Sequence, residues 1–274
     1  MDALTCLQCG DLEKALADLK EDIRKHPEKV ELRIFLFQLL SVMGQWKQAM
    51  TQLNIAAELD PDALLMAQIY RPALNCEVLR DAVFQGSRTP LSFGEPLAWM
   101  AWLIQIPGLL AAGEFKAAAD LRDQAFDAAP AISGRIDGQA FTWLADADER
   151  LGPVLEAVIH GKYYWIPFQR IRTIQIDKPV HLRDVVWVTA TFTWANEGQA
   201  AGLIPGRYPG SENAEDSAFR LGRKTAWQNA GHNLFVGLGQ RMLAIDQGEY
   251  PLLDIREVVF DPLENAPEGS LTHD

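Results

Sequence analysis

The sequence predicts an α+β protein, with an N-terminal all-α helical repeat region over residues 1–150 and a smaller, β-rich, barrel-like region over residues 151–274. Three observations carry that prediction. A glycine-led block recurs at a spacing of 34 residues in the first half. Each copy closes on a proline. After Gly161 the apolar period changes from that of helices to that of strands.

The repeat is read in three blocks. Gly10-Asp11-Leu12-Glu13-Lys14-Ala15 is echoed by Gly44-Gln45-Trp46-Lys47-Gln48-Ala49 and by Gly113-Glu114-Phe115-Lys116-Ala117-Ala118. Pro27, Pro61 and Pro130 follow their glycines by 17 residues. The third block lies 69 residues after the second, close to two periods. A glycine relieves crowding in the turn between antiparallel helices, an alanine five positions on lets the helices approach, and proline ends the second helix. This pattern resembles the tetratricopeptide repeat. In the middle unit Leu32, Leu36, Leu39, Leu40 and Met43 keep helical spacing, continued by Leu53, Ala56 and Ala57.

The departures are specific. The first unit has a truncated leading helix, Phe37 stands where the repeat wants a small residue, and Pro107 interrupts the leading helix of the third unit. Residues 66–84 are helical in pattern, and residues 86–96 read as a loop. Residues 131–138 leave the helical stack. Residues 141–159 resume a helical pattern with Asp146, Asp148, Glu149 and Arg150 on polar positions, which places the boundary near 131–160.

Beyond it, Val185–Trp194 is a β-branched and aromatic run with strand alternation. Asn196-Glu197-Gly198 signals a turn, and Gly202-Leu203-Ile204 begins a partner strand. Residues 163–176, 240–244 and 252–260 are further strand candidates, and residues 212–229 leave room for a short helix. The tail from 261 to 274 is polar and reads as loose. Trp99, Trp102 and Trp143 are assigned to packing the helical part, and Trp165, Trp187 and Trp194 to packing the β part.

Charge narrows the function classes. Against 37 acidic residues stand 25 basic ones, a net charge of −12. That balance opposes non-specific binding to nucleic acid or to anionic membranes. Residues 1–150 carry 22 acids and 14 bases, so the helical part holds most of the excess. No apolar run has the ~20 residues of a membrane span, and the opening Met1-Asp2-Ala3-Leu4 lacks the basic start of a secretory signal. Three cysteines cannot form an even disulfide framework, which fits a reducing cytoplasm.

Candidate chemistry is sparse. Cys6 and Cys9 are spaced for zinc or redox work, but no second pair completes four ligands. On a helix this spacing puts both thiols on one packed face. The five histidines form no ligand pair, and Gly237-Leu238-Gly239-Gln240-Arg241 lacks the ending of a phosphate loop. No cofactor or metal is therefore expected. Asp137, Asp146, Asp148 and Glu149 form a carboxylate-rich stretch, either a metal or acid–base site or a solvated helix face. Arg170, Arg172 and Arg183 suggest a local basic patch or partners for acids.

Ordered blocks across most of the chain resemble the ImpE/TagJ (SciE-type) family of bacterial type VI secretion accessory proteins. They include Arg71–Arg80 (RPALNCEVLR), Arg88-Thr89-Pro90, Phe93-Gly94-Glu95-Pro96, Trp143–Asp148 (WLADAD) and Arg150–Glu156 (RLGPVLE). Tyr163–Phe168 (YYWIPF), Arg207–Ser211 (RYPGS) and Gly239-Gln240-Arg241 follow. The resemblance implies a cytoplasmic, non-enzymatic protein that binds the N-terminal helix of the small contractile-sheath subunit (TssB/VipA type). It further implies a link to sheath recycling by the ClpV unfoldase. A groove on the helices around Arg71, Glu77, Arg80 and Trp99 is the candidate partner site, with acidic residues at its rim favouring a basic peptide. Two other readings stand beside it: a general repeat adaptor for another secretion component or effector, and a metal-assisted hydrolase using Asp137, Asp146 and Asp148.

Overall fold

The structure is a computed structural model that describes residues 3–95 and 97–262. Its first half is a stack of helices: α1 (Ala3–Gln8), α2 (Leu12–Lys25), α3 (Val30–Val42), α4 (Trp46–Leu59) and α5 (Ala63–Phe84). A two-residue strand β1 (Leu91–Ser92) precedes α6 (Ala98–Leu103), α7 (Ile106–Ala111) and α8 (Phe115–Ala128). The repeat punctuation falls where it was expected. Helices α2, α4 and α8 end at Lys25, Leu59 and Ala128, two residues before Pro27, Pro61 and Pro130. Asp11 starts α2 by accepting the Lys14 amide at 3.0 Å. Gly44 has a φ of +67°, and a Cβ there would lie 2.4 Å from Cγ of Glu212. The turn between α3 and α4 thus needs glycine twice, for its backbone and for close packing against the second half. Pro107 splits the third leading helix into α6 and α7.

Helix gives way to strand between Ala128 and Gly134. Strands β2 (Gly134–Ile136), β3 (Gln139–Phe141), β4 (Leu144–Asp146) and β5 (Val154–Ile159) occupy the stretch expected to resume a helix over 141–159. The physical reason is burial. All six residues of β5 are covered, and a short apolar run buried on both sides has no period that separates strand from helix.

Next come β6 (Lys162–Pro167), β7 (Ile171–Ile176), β8 (Trp187–Trp194) and β9 (Gln199–Pro205), with the β8–β9 turn at Asn196-Glu197-Gly198. The 212–229 region holds one short helix, α9 (Ser217–Arg220), and the start of β10 (Thr225–Gly231). Strands β11 (Leu234–Gly239), β12 (Met242–Ile245), β13 (Gly248–Pro251) and β14 (Glu257–Phe260) complete the order. The tail from residue 263 onward lies outside the described residues.

The main sheet has nine strands in the order β1-β6-β5-β9-β8-β7-β14-β2-β3. Its pairings are antiparallel except that β1, drawn from the expected 86–96 loop, runs parallel to β6. Its ends, β1 and β3, do not pair with each other, so the expected barrel is an open sheet instead. A helical layer covers one face, so the sheet need not close on itself to bury that face. Two smaller sheets, β10-β11 and β13-β12-β4, pack beside it.

Strand alternation divides the core. On β5 and β6, Val154, Val158, Tyr163 and Trp165 face the helices, and Leu155, Ala157, Ile159 and Ile166 face away. Trp187 of β8 joins the helical side, where its ring stacks on Phe37 at 6.4 Å and meets Tyr70 at 5.6 Å and Trp46 at 6.1 Å. This explains the large residue at position 37. Instead of admitting a neighbouring helix, it docks α3 onto the sheet. Trp143 departs from its expected place in the helical core: it lies on the β3–β4 turn and is exposed. Cys6 is buried on α1, whereas Cys9 is exposed because the helix ends at Gln8.

Candidate functional site

The strongest concentration of charged groups is buried between α5 and the sheet. A helical spacing of three points Glu77 and Arg80 from α5 toward β5 and β8. Arg80 donates from Nε and Nη2 to the two carboxylate oxygens of Glu156, at 2.7 and 2.9 Å, and from Nη2 to the Arg207 carbonyl at 2.8 Å. Glu77 accepts from the Trp187 indole at 2.9 Å and lies 3.4 Å from Arg80 Nη1. Glu156 also accepts from the Tyr163 hydroxyl and from Arg241 Nη2. Position 156 is the helix-facing place between Val154 and Val158, so alternation on β5 delivers its carboxylate into this seam.

Arg241 extends the network. Its Nη1 pairs with Asp146, and its Nε donates to the Pro205 carbonyl at 2.8 Å. Asp146 accepts the Asp148 amide at 2.9 Å and the Tyr208 hydroxyl at 3.2 Å. Asp148 accepts from Arg150 Nε at 2.8 Å and from the Gly237 amide at 2.8 Å. Arg207 reaches back to the helical layer and donates to the Val42 carbonyl at 2.8 Å. Four carboxylates, Glu77, Asp146, Asp148 and Glu156, thus share the interior with four guanidinium groups, Arg80, Arg150, Arg207 and Arg241.

Burial sets the direction of the shift for Glu77 and Asp146. It pushes Glu77 up to about 7, with Arg80 and Arg207 pulling the other way. It also pushes Asp146 up to about 6 against the pull of Arg241. Glu156 goes the opposite way. Burial alone would raise it, but Arg80 and Arg241 together hold it at about 2. Burial lowers Arg207 to about 10. With its oxygens occupied by two arginines and a tyrosine, Glu156 is built to hold neighbours in place.

The residues singled out from sequence separate into two groups. Glu77, Arg80 and Trp99 are buried, so they cannot line an open groove without the helices parting. Arg71 is half-buried on α5 and donates to Asn54 at 2.7 Å. Asp146 and Asp148 are buried in strand and turn, which overturns the solvated helix face. Asp137 is exposed on the β2–β3 turn, where it accepts the backbone amides of Arg256 at 3.0 Å and Glu257 at 2.8 Å. The three aspartates proposed for a metal-assisted hydrolase therefore do not converge, and among the described residues no group of three or more His, Cys, Asp or Glu is arranged to hold a metal ion. Arg170 and Arg172 donate to the carbonyls of Glu95 and Phe260, both at 2.8 Å, and Arg183 covers the Tyr70 ring. They form no common basic patch.

Single-motif reasoning missed Glu156, Tyr163, Arg207 and Arg241 as partners. A glutamate inside the apolar run Val154–Ile159 was the available signal. The sequence blocks that carried the family resemblance meet here: RPALNCEVLR supplies Glu77 and Arg80, WLADAD the aspartates, RLGPVLE Glu156, YYWIPF Tyr163, RYPGS Arg207 and Tyr208, and the Gly239 block Arg241.

A family model described as ImpE protein matches residues 138–259, and a tetratricopeptide repeat model matches residues 7–69. The type VI secretion system accessory component TagJ of Pseudomonas aeruginosa is 48% identical over 264 residues, covering 96% of this chain and 92% of that protein. The crystal structure of protein VPA1032 from Vibrio parahaemolyticus superposes with a TM-score of 0.87 at 24% identity, covering 96% of this chain and 98% of that one, which establishes a shared fold. Among the described residues no helix is long and apolar enough to cross a membrane. A relative 48% identical over nearly the whole chain, together with the family match over residues 138–259, places this protein in the ImpE/TagJ family.

Proposed function

We propose that this protein is a cytoplasmic, non-enzymatic adaptor of a bacterial type VI secretion system. It binds the N-terminal helix of the small sheath subunit and so links the sheath to recycling by a ClpV-type unfoldase. The name of the Pseudomonas relative supports the secretion role. The observation that carries the binding mode is the uncovered apolar surface at the start of α5, where Leu64, Leu65 and Ile69 are exposed, joined by Leu59 at the end of α4. Leu65 is 69% exposed and clusters with exposed Leu64 and Ile69, the kind of contiguous apolar surface that marks a contact site. Glu58, Asp60 and Asp62 rim the same end.

An amphipathic helix with apolar residues on one face and Lys or Arg beside them matches this surface. Arg71 belongs to its accessible edge. Glu77, Arg80 and Trp99 serve it from beneath, by fixing α5 and α6 against the sheet. Titration of the full chain with a peptide of the sheath subunit's N-terminal helix tests the reading. Binding with a Kd of about 100 μM or tighter is expected, with a loss of about tenfold or more in Leu65→Asp and Ile69→Asp. Equal binding of a scrambled peptide, or none at that concentration, overturns it.

A further inference from the structure

A second surface of the helical layer has the opposite charge. Helices α2, α3 and α4 enclose a groove of about 370 Å³, within the range of pockets that hold a ligand. Ile23 and Leu36, both buried, form its apolar floor, and Lys20, Arg24 and Arg33 stand around it with Gln52. In the part of the chain that carries most of the net negative charge, three cations converge here.

Their existing partners do not use them up. Arg33 donates from Nη1 to Gln52 at 2.9 Å, while its Nε is buried without a hydrogen-bond partner. Among the described residues no carboxylate lies within ion-pair distance of Lys20 or Arg33. Arg24 pairs with Glu21 at 2.5 Å, an exposed contact on the same helix that an incoming carboxylate can replace at little cost. An unpaired buried guanidinium nitrogen beside an apolar floor is unfavourable alone and favourable once an anion meets it.

We infer that this groove binds an acidic peptide segment of a partner protein, one that seats a leucine-sized side chain between Ile23 and Leu36 and sets flanking carboxylates on Lys20, Arg24 and Arg33. The surface is distinct from the α5 face in position and in sign, and the inference does not depend on the sheath-helix reading.

Fluorescence anisotropy on the full chain tests it, with a labelled helical peptide carrying leucine on one face and glutamate beside it. The lysine version of the same peptide is the control. The glutamate peptide is expected to bind with a Kd on the order of 10–100 μM at low salt, about tenfold or more tighter than the lysine one. Arg33→Glu and Lys20→Glu each reduce its affinity about tenfold, and Leu65→Asp leaves it unchanged. Lys20 is exposed on α2, so its reversal keeps the test open if Arg33→Glu fails to fold. Glu21→Gln releases Arg24 and tightens binding. Equal binding of the two peptides, indifference to both reversals, or full displacement by tripolyphosphate, which marks a site that reads charge alone, overturns the inference.

Discussion

Arg80 on α5 and Glu156 on β5 face each other through two hydrogen bonds of 2.7 and 2.9 Å, 76 residues apart in the chain and both buried. That pair is the electrostatic fastening between the helical layer and the sheet. Around it stands an apolar and aromatic seam formed by Phe37, Tyr70, Phe84, Trp165 and Trp187. The fastening and the seam explain why one continuous core cluster draws residues from both halves of the chain.

Glu156→Gln removes the charge that Arg80 and Arg241 share, leaving Arg80 with only the longer 3.4 Å contact to Glu77 and Arg241 with only Asp146. Destabilisation of about 3–5 kcal/mol is expected, measured by urea unfolding at neutral pH. Because Glu156 is held at about 2, below its ordinary 4.5, its contribution is present above the ordinary value and lost as pH falls toward 2. The gap between wild type and variant should therefore close under acid.

Glu77 should behave in the opposite sense. Burial raises it to about 7, so between its ordinary value and 7 the folded chain keeps a proton that the unfolded chain releases. Its protonated form favours folding at low pH, and that advantage fades as pH rises through 7. Glu77→Gln keeps an acceptor for the Trp187 indole without the charge. The variant should gain stability relative to wild type between pH 5 and 8, by about 3 kcal/mol at most. A difference that does not change with pH in paired unfolding curves would refute this.

Phe37→Ala, at a fully buried position stacked on Trp187, should cost about 3–5 kcal/mol. Loss of near-ultraviolet circular dichroism from the tryptophans at temperatures where far-ultraviolet helicity persists would report separation of α3 from the sheet. Restoring a small residue at this repeat position should therefore harm this protein.

Thiol labelling separates the three cysteines. Cys9 is exposed, Cys6 and Cys76 are buried, and burial pushes the Cys76 thiol up to about 12. Mass spectrometry after brief alkylation of the native chain should find Cys9 modified and the other two protected. Labelling in denaturant should reach all three.

Leu65→Asp should leave the melting temperature nearly unchanged, because the side chain is mostly solvated and a substitution there is worth about ±0.5 kcal/mol. Combined with loss of sheath-peptide binding, that outcome would separate a contact residue from a folding residue. A large drop in melting temperature would mean that α5 uses Leu65 for packing.

Local chemistry was enough to read Gly10, Gly44, Gly113 and the closing prolines, because a positive φ and a missing amide are properties of single residues. Most of the expected Val185–Trp194 strand was equally legible, the strand running from Trp187 to Trp194, since alternation is intrinsic to a half-covered pleat. Val154–Ile159 was not, because burial on both faces erases the period that distinguishes strand from helix. The expected groove at Glu77 and Arg80 failed for a related reason. Charged residues on a helix are ordinarily solvated, and what covers these two comes from β5, β6 and β8, far along the chain.

The sequence by itself determined the repeat register, the change from helix to strand character and the ImpE/TagJ membership, all of which are written in spacing and residue type. Only the tertiary structure decided that the sheet stays open, that Phe37 docks on Trp187, and that motifs from six places close into one buried ion network. Those outcomes depend on which apolar faces and which opposite charges meet once the chain has folded, and no spacing along the sequence encodes that distance.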